Sequence, residues 1–204
     1  MSYHAAMHPL AGMNIYVAGR FTEPQPVRAM QRALKEAGAS VTFDWTTYAD
    51  ANEPISAAAK LAMLPSEGEL CLGGVRDAEV VVAVFTDTDP KYPYAGTIAE
   101  LTSAIAMNRR VVRVVPPAVA AALISAAADA STPWSDVRPT LPSFASNPFW
   151  TLGGDRNVLA TEVSGVIAAI MLHRWDSKME ARKAEWAAEW AAASPAHAAM
   201  TAAV

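Results

Sequence analysis

The sequence predicts an α/β protein: a doubly wound, mostly parallel, Rossmann-like (flavodoxin-like) sheet with a C-terminal helical extension. Three observations carry that prediction. The chain opens strand–helix–strand, which is how two parallel strands are joined. A continuous Val-rich run, "EVVVAVFTD" (79–87), has the make-up of a central strand covered on both faces. Helix and strand then alternate again through "GTIAELTSAIAMNRRVVRVVP" (96–116).

In order, residues 1–12 read as a loose tail, and "MNIYVAGRF" (13–21) as a buried strand ending at Gly19. "EPQPVRAMQRALKEAGAS" (23–40) reads as a helix. Pro26 suits its first turn, Val27, Met30 and Leu34 share a face, and Gly38 stops it. "SVTFDW" (40–45) alternates as a second strand, and residues 46–66 read as a loop holding a helix. "GELCLGGVRDA" (68–78) is expected to be a helical turn or short helix before the Val-rich strand.

A Pro/Tyr loop, a helix over 97–108 and a strand over 109–116 follow. A helix is expected within 117–130 and an ordered loop around "SNPFWTLGGDRN" (146–157). "VLATEVSGVIAAIMLHRW" (158–175) is apolar at helical spacing. Beyond it Trp175, Met179, Trp186 and Trp190 fall near one helical face. The expected division is therefore a tail (1–12), an α/β domain (13–172) and a C-terminal helix (173–204).

The bulk properties exclude whole classes of function. Of 204 residues, 52% are hydrophobic and 18% charged, which is globular rather than disordered. A net charge of −4 with no basic block argues against a nucleic-acid polymer or an anionic membrane as partner. Arg113 and the Pro116–Pro117 pair interrupt the longest apolar stretch, so no membrane span is expected. Cys71 is the one cysteine, and a reducing, cytoplasmic setting is the expectation. The four histidines lack metal spacing, and neither "LGGVRD" nor "LGGDR" is a phosphate-cradling motif, so neither metal nor cofactor is expected.

In open parallel sheets ligands bind beyond the carboxyl ends of the strands. That singles out Gly19–Arg20–Phe21, Asp44–Trp45, Thr86–Asp87 and Pro116–Pro117. The most informative residue is Glu100. Thr97-Ile98-Ala99-Glu100 fits a capping box, in which Glu100 would reach back to the amide of Thr97. It also lies at the edge of the Ile98/Leu101/Ile105 stripe, one turn into a helix that starts beside the predicted cleft. There a carboxylate could serve as nucleophile or general base.

The segment "DAEVVVAVFTD…YPYAGTIAELTSAIAMNRRVVRVV", with the opening "NIYVAGRF", resembles the nucleoside 2-deoxyribosyltransferase family over roughly residues 13–116. The resemblance implies a conserved Glu, here Glu100, that displaces a base from a 2-deoxyribonucleoside and forms a covalent deoxyribosyl-enzyme. Tyr16 resembles the Tyr that orients that carboxylate. The resemblance also implies substrate contacts from Gly19, Arg20, Phe21, Asp87, Tyr94, Gly96 and Thr97, a nucleoside, nucleotide or nucleobase as ligand, and a homo-oligomer. This chain departs from the pattern at two base-contacting Asp positions, which hold Cys71 and Tyr94, and at Thr102 after Glu-Leu. Alternatives are a nucleoside 5′-monophosphate N-glycosidase with Arg20 as phosphate clamp, and a lysine-decarboxylase-like phosphoribohydrolase, disfavoured because "PYAGTIAE" lacks that family's paired glycines. A non-catalytic nucleotide-binding or assembly protein is the third.

Overall fold

The computed structural model describes residues 8–49, 56–86, 94–128 and 157–193, with residues 131, 133, 136, 141, 144 and 145 between the last two segments. By compactness the chain divides into units Met1–Ile170 and Met171–Val204. The first holds a five-stranded sheet, and all four strand pairings are parallel. The strands are β1 (Asn14–Ala18), β2 (Ser40–Val41), β3 (Val80–Val84), β4 (Arg110–Val114) and β5 (Asn157–Ala160). The helices are α1 (Pro24–Glu36), α2 (Thr46–Ala49), α3 (Ala57–Asp77), α4 (Ala95–Ala106), α5 (Pro117–Ala128) and α6 (Val163–Ala193).

The strand order β2-β1-β3-β4-β5 fixes where a ligand can go. The chain leaves β1 outward to β2, then returns to β3 and continues the other way. The switch falls between the carboxyl ends of β1 and β3, where the crossovers diverge and leave a crevice. Registry there is tight: Tyr16 pairs with Val81 and Ala18 with Ala83. Side chains alternate along β1, so Ile15 and Val17 face one side and Tyr16 and Ala18 the other. All four are fully buried, as is most of β3.

Local chemistry explains the elements. Pro24 opens α1, Val27, Met30 and Leu34 are its buried stripe, and Gly38 (φ +95) turns the chain after it. Gly19 ends β1 because α1 lies close: an added Cβ would sit 2.3 Å from Val27 Cγ2. β2 is shorter than expected from 40–45. The chain leaves the sheet after Thr42, and the Val17 carbonyl accepts instead from the Trp45 indole N–H at 2.8 Å.

Three further expectations are corrected. Residues 8–12 form a turn rather than a loose tail, for Leu10 is buried in the core and its amide donates to the Ala37 carbonyl. "GELCLGGVRDA" is the second half of a 21-residue helix that runs through Pro65 and three glycines. "NVLA" (157–160) is the fifth strand, paired with β4, where a helix was expected from Val158. The loop expected around 146–156 lies outside the described residues.

α6 begins at Val163 and buries Val166, Ala169 and Ile170 in the first unit. From Met171 the helix belongs to the second unit, where Trp175 is exposed and Glu180–Lys183 and Arg182–Glu185 pair one turn apart. The side chains of Trp186 and Trp190 lie outside the described residues. Among the described residues no helix is long and apolar enough to cross a membrane.

The β1–α1 junction yields a prediction. Gly19→Ala should destabilise the fold by about 1–3 kcal/mol, since backbone or Val27 must give way. Combining it with Val27→Ala should cost less than the two single changes summed, as measured by urea unfolding; strict additivity would rule out the contact.

Candidate active site

At the switch point the described residues enclose a cavity of about 470 Å³. β1 and its following loop supply Gly19 and Phe21, and the segment around α2 supplies Phe43, Trp45 and Tyr48. One face of α3 supplies Leu64, Glu67, Gly68, Cys71 and Leu72. The start of α4 adds Tyr94, Gly96, Thr97, Ala99 and Glu100.

Aromatic groups build one wall. Phe21 stacks on Trp45 with centroids 5.9 Å apart, and Phe43 packs on Tyr48 at 6.0 Å. Trp45 is locked by its bond to Val17, and α2 is capped by Asp44, whose carboxylate accepts from the Thr46 amide and hydroxyl. Arg28 of α1 holds the same residue from the other side of the chain, donating to the Thr46 carbonyl at 2.6 Å. This rigid apolar wall suits a flat ring.

Glu100 is the centre of the site. Its Oε1 accepts a hydrogen bond from the Tyr16 hydroxyl at 2.6 Å, across 84 residues of sequence. The capping-box expectation is thereby corrected: the helix begins at Ala95, Thr97 is its third residue, and the carboxylate turns to β1 instead of its own main chain. The Tyr16 ring packs against α3. An added Cβ at Gly74 would stand 2.8 Å from Tyr16 Cδ2 and 2.7 Å from Phe43 Cβ, so only glycine lets the helix come that close.

Burial sets the electrostatics. It pushes the Glu100 carboxyl up to about 7, against hydrogen bonds from Tyr16 and from the Cys71 thiol, which pull it down. Burial, and then the Glu100 charge, hold the Tyr16 hydroxyl well above its ordinary value, so it stays a donor. Burial likewise pushes the Cys71 thiol up to about 11, so it is no nucleophile. The outcome is a desolvated carboxylate near half ionisation at neutral pH, aimed by one short bond.

The other expected site residues are placed as follows. Gly19, Phe21, Tyr94, Gly96 and Thr97 line the cavity. Arg20 does not; its guanidinium donates to Thr22 at 2.9 Å and pairs with Glu23 at 3.2 Å. Tyr94 takes the left-handed conformation (φ 47) before α4 and is buried against Phe85 and Phe144, and its hydroxyl accepts from the Thr86 amide. Asp87 lies outside the described residues. Pro116–Pro117 is not in the lining.

Leu64, Glu67, Gly68 and Leu72 were not anticipated. Their signal was the 64, 67/68, 71/72 spacing of one helical face, masked by the breakers Pro65, Gly68 and Gly73–Gly74. Among the described residues no group of His, Cys, Asp and Glu side chains could hold a metal ion.

The chain matches no protein-family model and no curated protein. Among solved structures it is similar to the 2-deoxyribosyltransferase of the psychrotolerant bacterium Bacillus psychrosaccharolyticus. Identity is 16%, the match covers 63% of this chain and 82% of that one, and the TM-score is 0.37. The chemistry of the site must therefore come from this chain's own residues.

The raised carboxyl has a consequence for stability. A Glu that holds its proton up to about pH 7 when folded, against 4.5 ordinarily, costs stability as pH rises through that interval. Glu100→Gln escapes the cost. The variant should be more stable than wild type by about 1–3 kcal/mol at pH 8 and equal to it below about pH 4.5, read from thermal melts. Equal stability at both ends would mean the carboxylate is solvated.

Proposed function

We propose that the protein cleaves the N-glycosidic bond of a 2-deoxyribonucleoside and transfers the deoxyribose to a second nucleobase. The observation that carries this reading is the Tyr16–Glu100 hydrogen bond at the wall of an apolar, aromatic-lined cavity. The family resemblance of the strand–helix segment around Glu100 points the same way.

In the proposed mechanism the ionised Glu100 attacks the anomeric carbon. The carbon–nitrogen bond breaks, its electron pair leaves with the base, and the base takes up a proton from solvent. The products are a free base and a deoxyribosyl ester of Glu100. An acceptor base then attacks the same carbon, loses its proton, and releases the Glu100 carboxylate. Two displacements return the original anomeric configuration, as in retaining glycosidases. Tyr16 fixes the carboxylate before attack, and desolvation leaves its charge poorly compensated and reactive.

The placement of Arg20 favours a nucleoside over a 5′-monophosphate, because its guanidinium is engaged with Thr22 and Glu23 outside the cavity lining. A phosphate clamp would need a cation in the wall, and the described lining residues include no Lys or Arg. That Glu100 bonds Tyr16 rather than capping its helix supports the catalytic reading over the non-catalytic one.

Incubation with a deoxynucleoside and a different free base, followed by chromatography, should show base exchange. Glu100→Ala should abolish it with the fold intact. Release of base without exchange would make the protein a hydrolase, and an active Glu100→Ala variant would exclude the covalent route. Activity should rise with pH through about 7, as Glu100 ionises. Tyr16→Phe removes a bond that favours the ionised form. It should therefore lower the rate about 10- to 100-fold and shift that limb to higher pH. An unshifted limb would assign the titration to another group.

A further inference from the structure

A second, wider cavity of about 940 Å³ lies between α1 and the start of α2. It backs onto the first. Phe43, Trp45 and Tyr48 line the aromatic cavity, whereas Asp44, Thr46 and Thr47 line the second. The segment 43–48 is therefore a partition with a different chemistry on each side. Every residue lining the second cavity carries a polar side chain, and cations outnumber carboxylates.

Arg28, Gln31, Arg32 and Lys35 recur at three- and four-residue spacing, so they project from one face of α1. Arg28 is engaged: it donates to the hydroxyl and carbonyl of Thr46. Asp44 is half engaged, accepting from the Thr46 amide and hydroxyl through one of its two oxygens. Arg32 and Lys35 are exposed and make no ion pair among the described residues.

Gln31 is the observation that points to a ligand. It is 2% exposed, and its side-chain nitrogen has no hydrogen-bond partner among the described residues. Its neighbours in the buried stripe of α1 are Val27, Met30 and Leu34. A buried donor is ordinarily paired, and an unpaired one costs more than an apolar side chain of the same size. At the wall of a cavity, such a donor has its complement in an acceptor carried by an occupant. The terminal torsion of Gln turns easily, so the nitrogen can swing to that acceptor.

We propose that this cavity binds a phosphorylated sugar. Arg32 and Lys35 take the phosphate oxygens, and Gln31 donates to an oxygen of the ligand. The second oxygen of Asp44 and the carboxylate of Glu36 accept from sugar hydroxyls. A nucleotide fits worse, because no aromatic or aliphatic residue lines this cavity to cover a base. The site lies across the partition from Glu100 and does not depend on the reaction proposed there.

The test is isothermal titration of the full chain with ribose 5-phosphate, ribose, inorganic phosphate and adenosine 5′-monophosphate. Ribose 5-phosphate should bind at least tenfold tighter than ribose or inorganic phosphate and no weaker than the nucleotide. Arg32→Gln combined with Lys35→Gln should weaken it tenfold or more at an unchanged melting temperature, as for lost bonds to a charged group. Gln31→Leu separates a donor kept for a ligand from one kept for the fold. The empty variant should melt no lower than wild type, yet bind ribose 5-phosphate about fivefold more weakly. Glu100→Gln should leave the affinity unchanged. The assignment is overturned by absence of saturable binding, by inorganic phosphate binding as tightly as the sugar phosphate, or by a preference for the nucleotide. Wild-type affinity in either α1 variant, a lowered melting temperature in Gln31→Leu, or affinity lost in Glu100→Gln would equally contradict it.

Discussion

The hydrogen bond from Tyr16 to Glu100 is the constraint around which the site is organised. It joins the second position of β1's buried run to the middle of α4 and crosses the sheet's switch point. Each partner needs separate support to reach the other. Tyr16 needs α3 close enough to clamp its ring, which requires Gly74. Glu100 needs α4 to start at Ala95, which the left-handed turn at Tyr94 provides, and that turn is anchored in the Phe85/Phe144 cluster. The parallel strands and their helices thus act as a jig for one oxygen–oxygen contact.

That contact is bought with stability elsewhere in the fold. A carboxylate surrounded by Tyr, Cys and apolar side chains loses hydration that two hydrogen bonds only partly replace. Its proton affinity rises accordingly. In the proposed reaction the same desolvation would make it a better nucleophile, so the destabilised group and the reactive group would be one. The aromatic wall adds to this by excluding water: Trp45 is tied to the sheet through Val17, and α2 is held by Asp44 and Arg28.

Much of this was legible in the sequence. The Val-rich run announced the central strand, Val27, Met30 and Leu34 announced the face of α1, and the strand–helix alternation announced the parallel sheet. Glu100, Tyr16 and their pairing came from the family resemblance, and local spacing alone did not give the contact. "TIAE" satisfies a local capping pattern as well as it does a distant partner, and only the fold decides between bonds 3 and 84 residues long. β5 was hidden because two residues separate it from α6, so strand and helix merged into one apolar run. The α3 wall was hidden by its breakers. Pro65 and the glycines signal loop by propensity, yet the helix is continuous, and Gly74 is what permits its close approach to Tyr16 and Phe43.

The central claim is a covalent one, so the most direct measurement is the mass of the protein during turnover. Rapid acid quench with a 2-deoxyribonucleoside, followed by proteolysis and peptide mass spectrometry, should place a single deoxyribosyl group on the peptide containing Glu100, and adding an acceptor base before the quench should remove it. Cleavage of the nucleoside with that peptide unmodified, or with the sugar on another residue, would contradict the account.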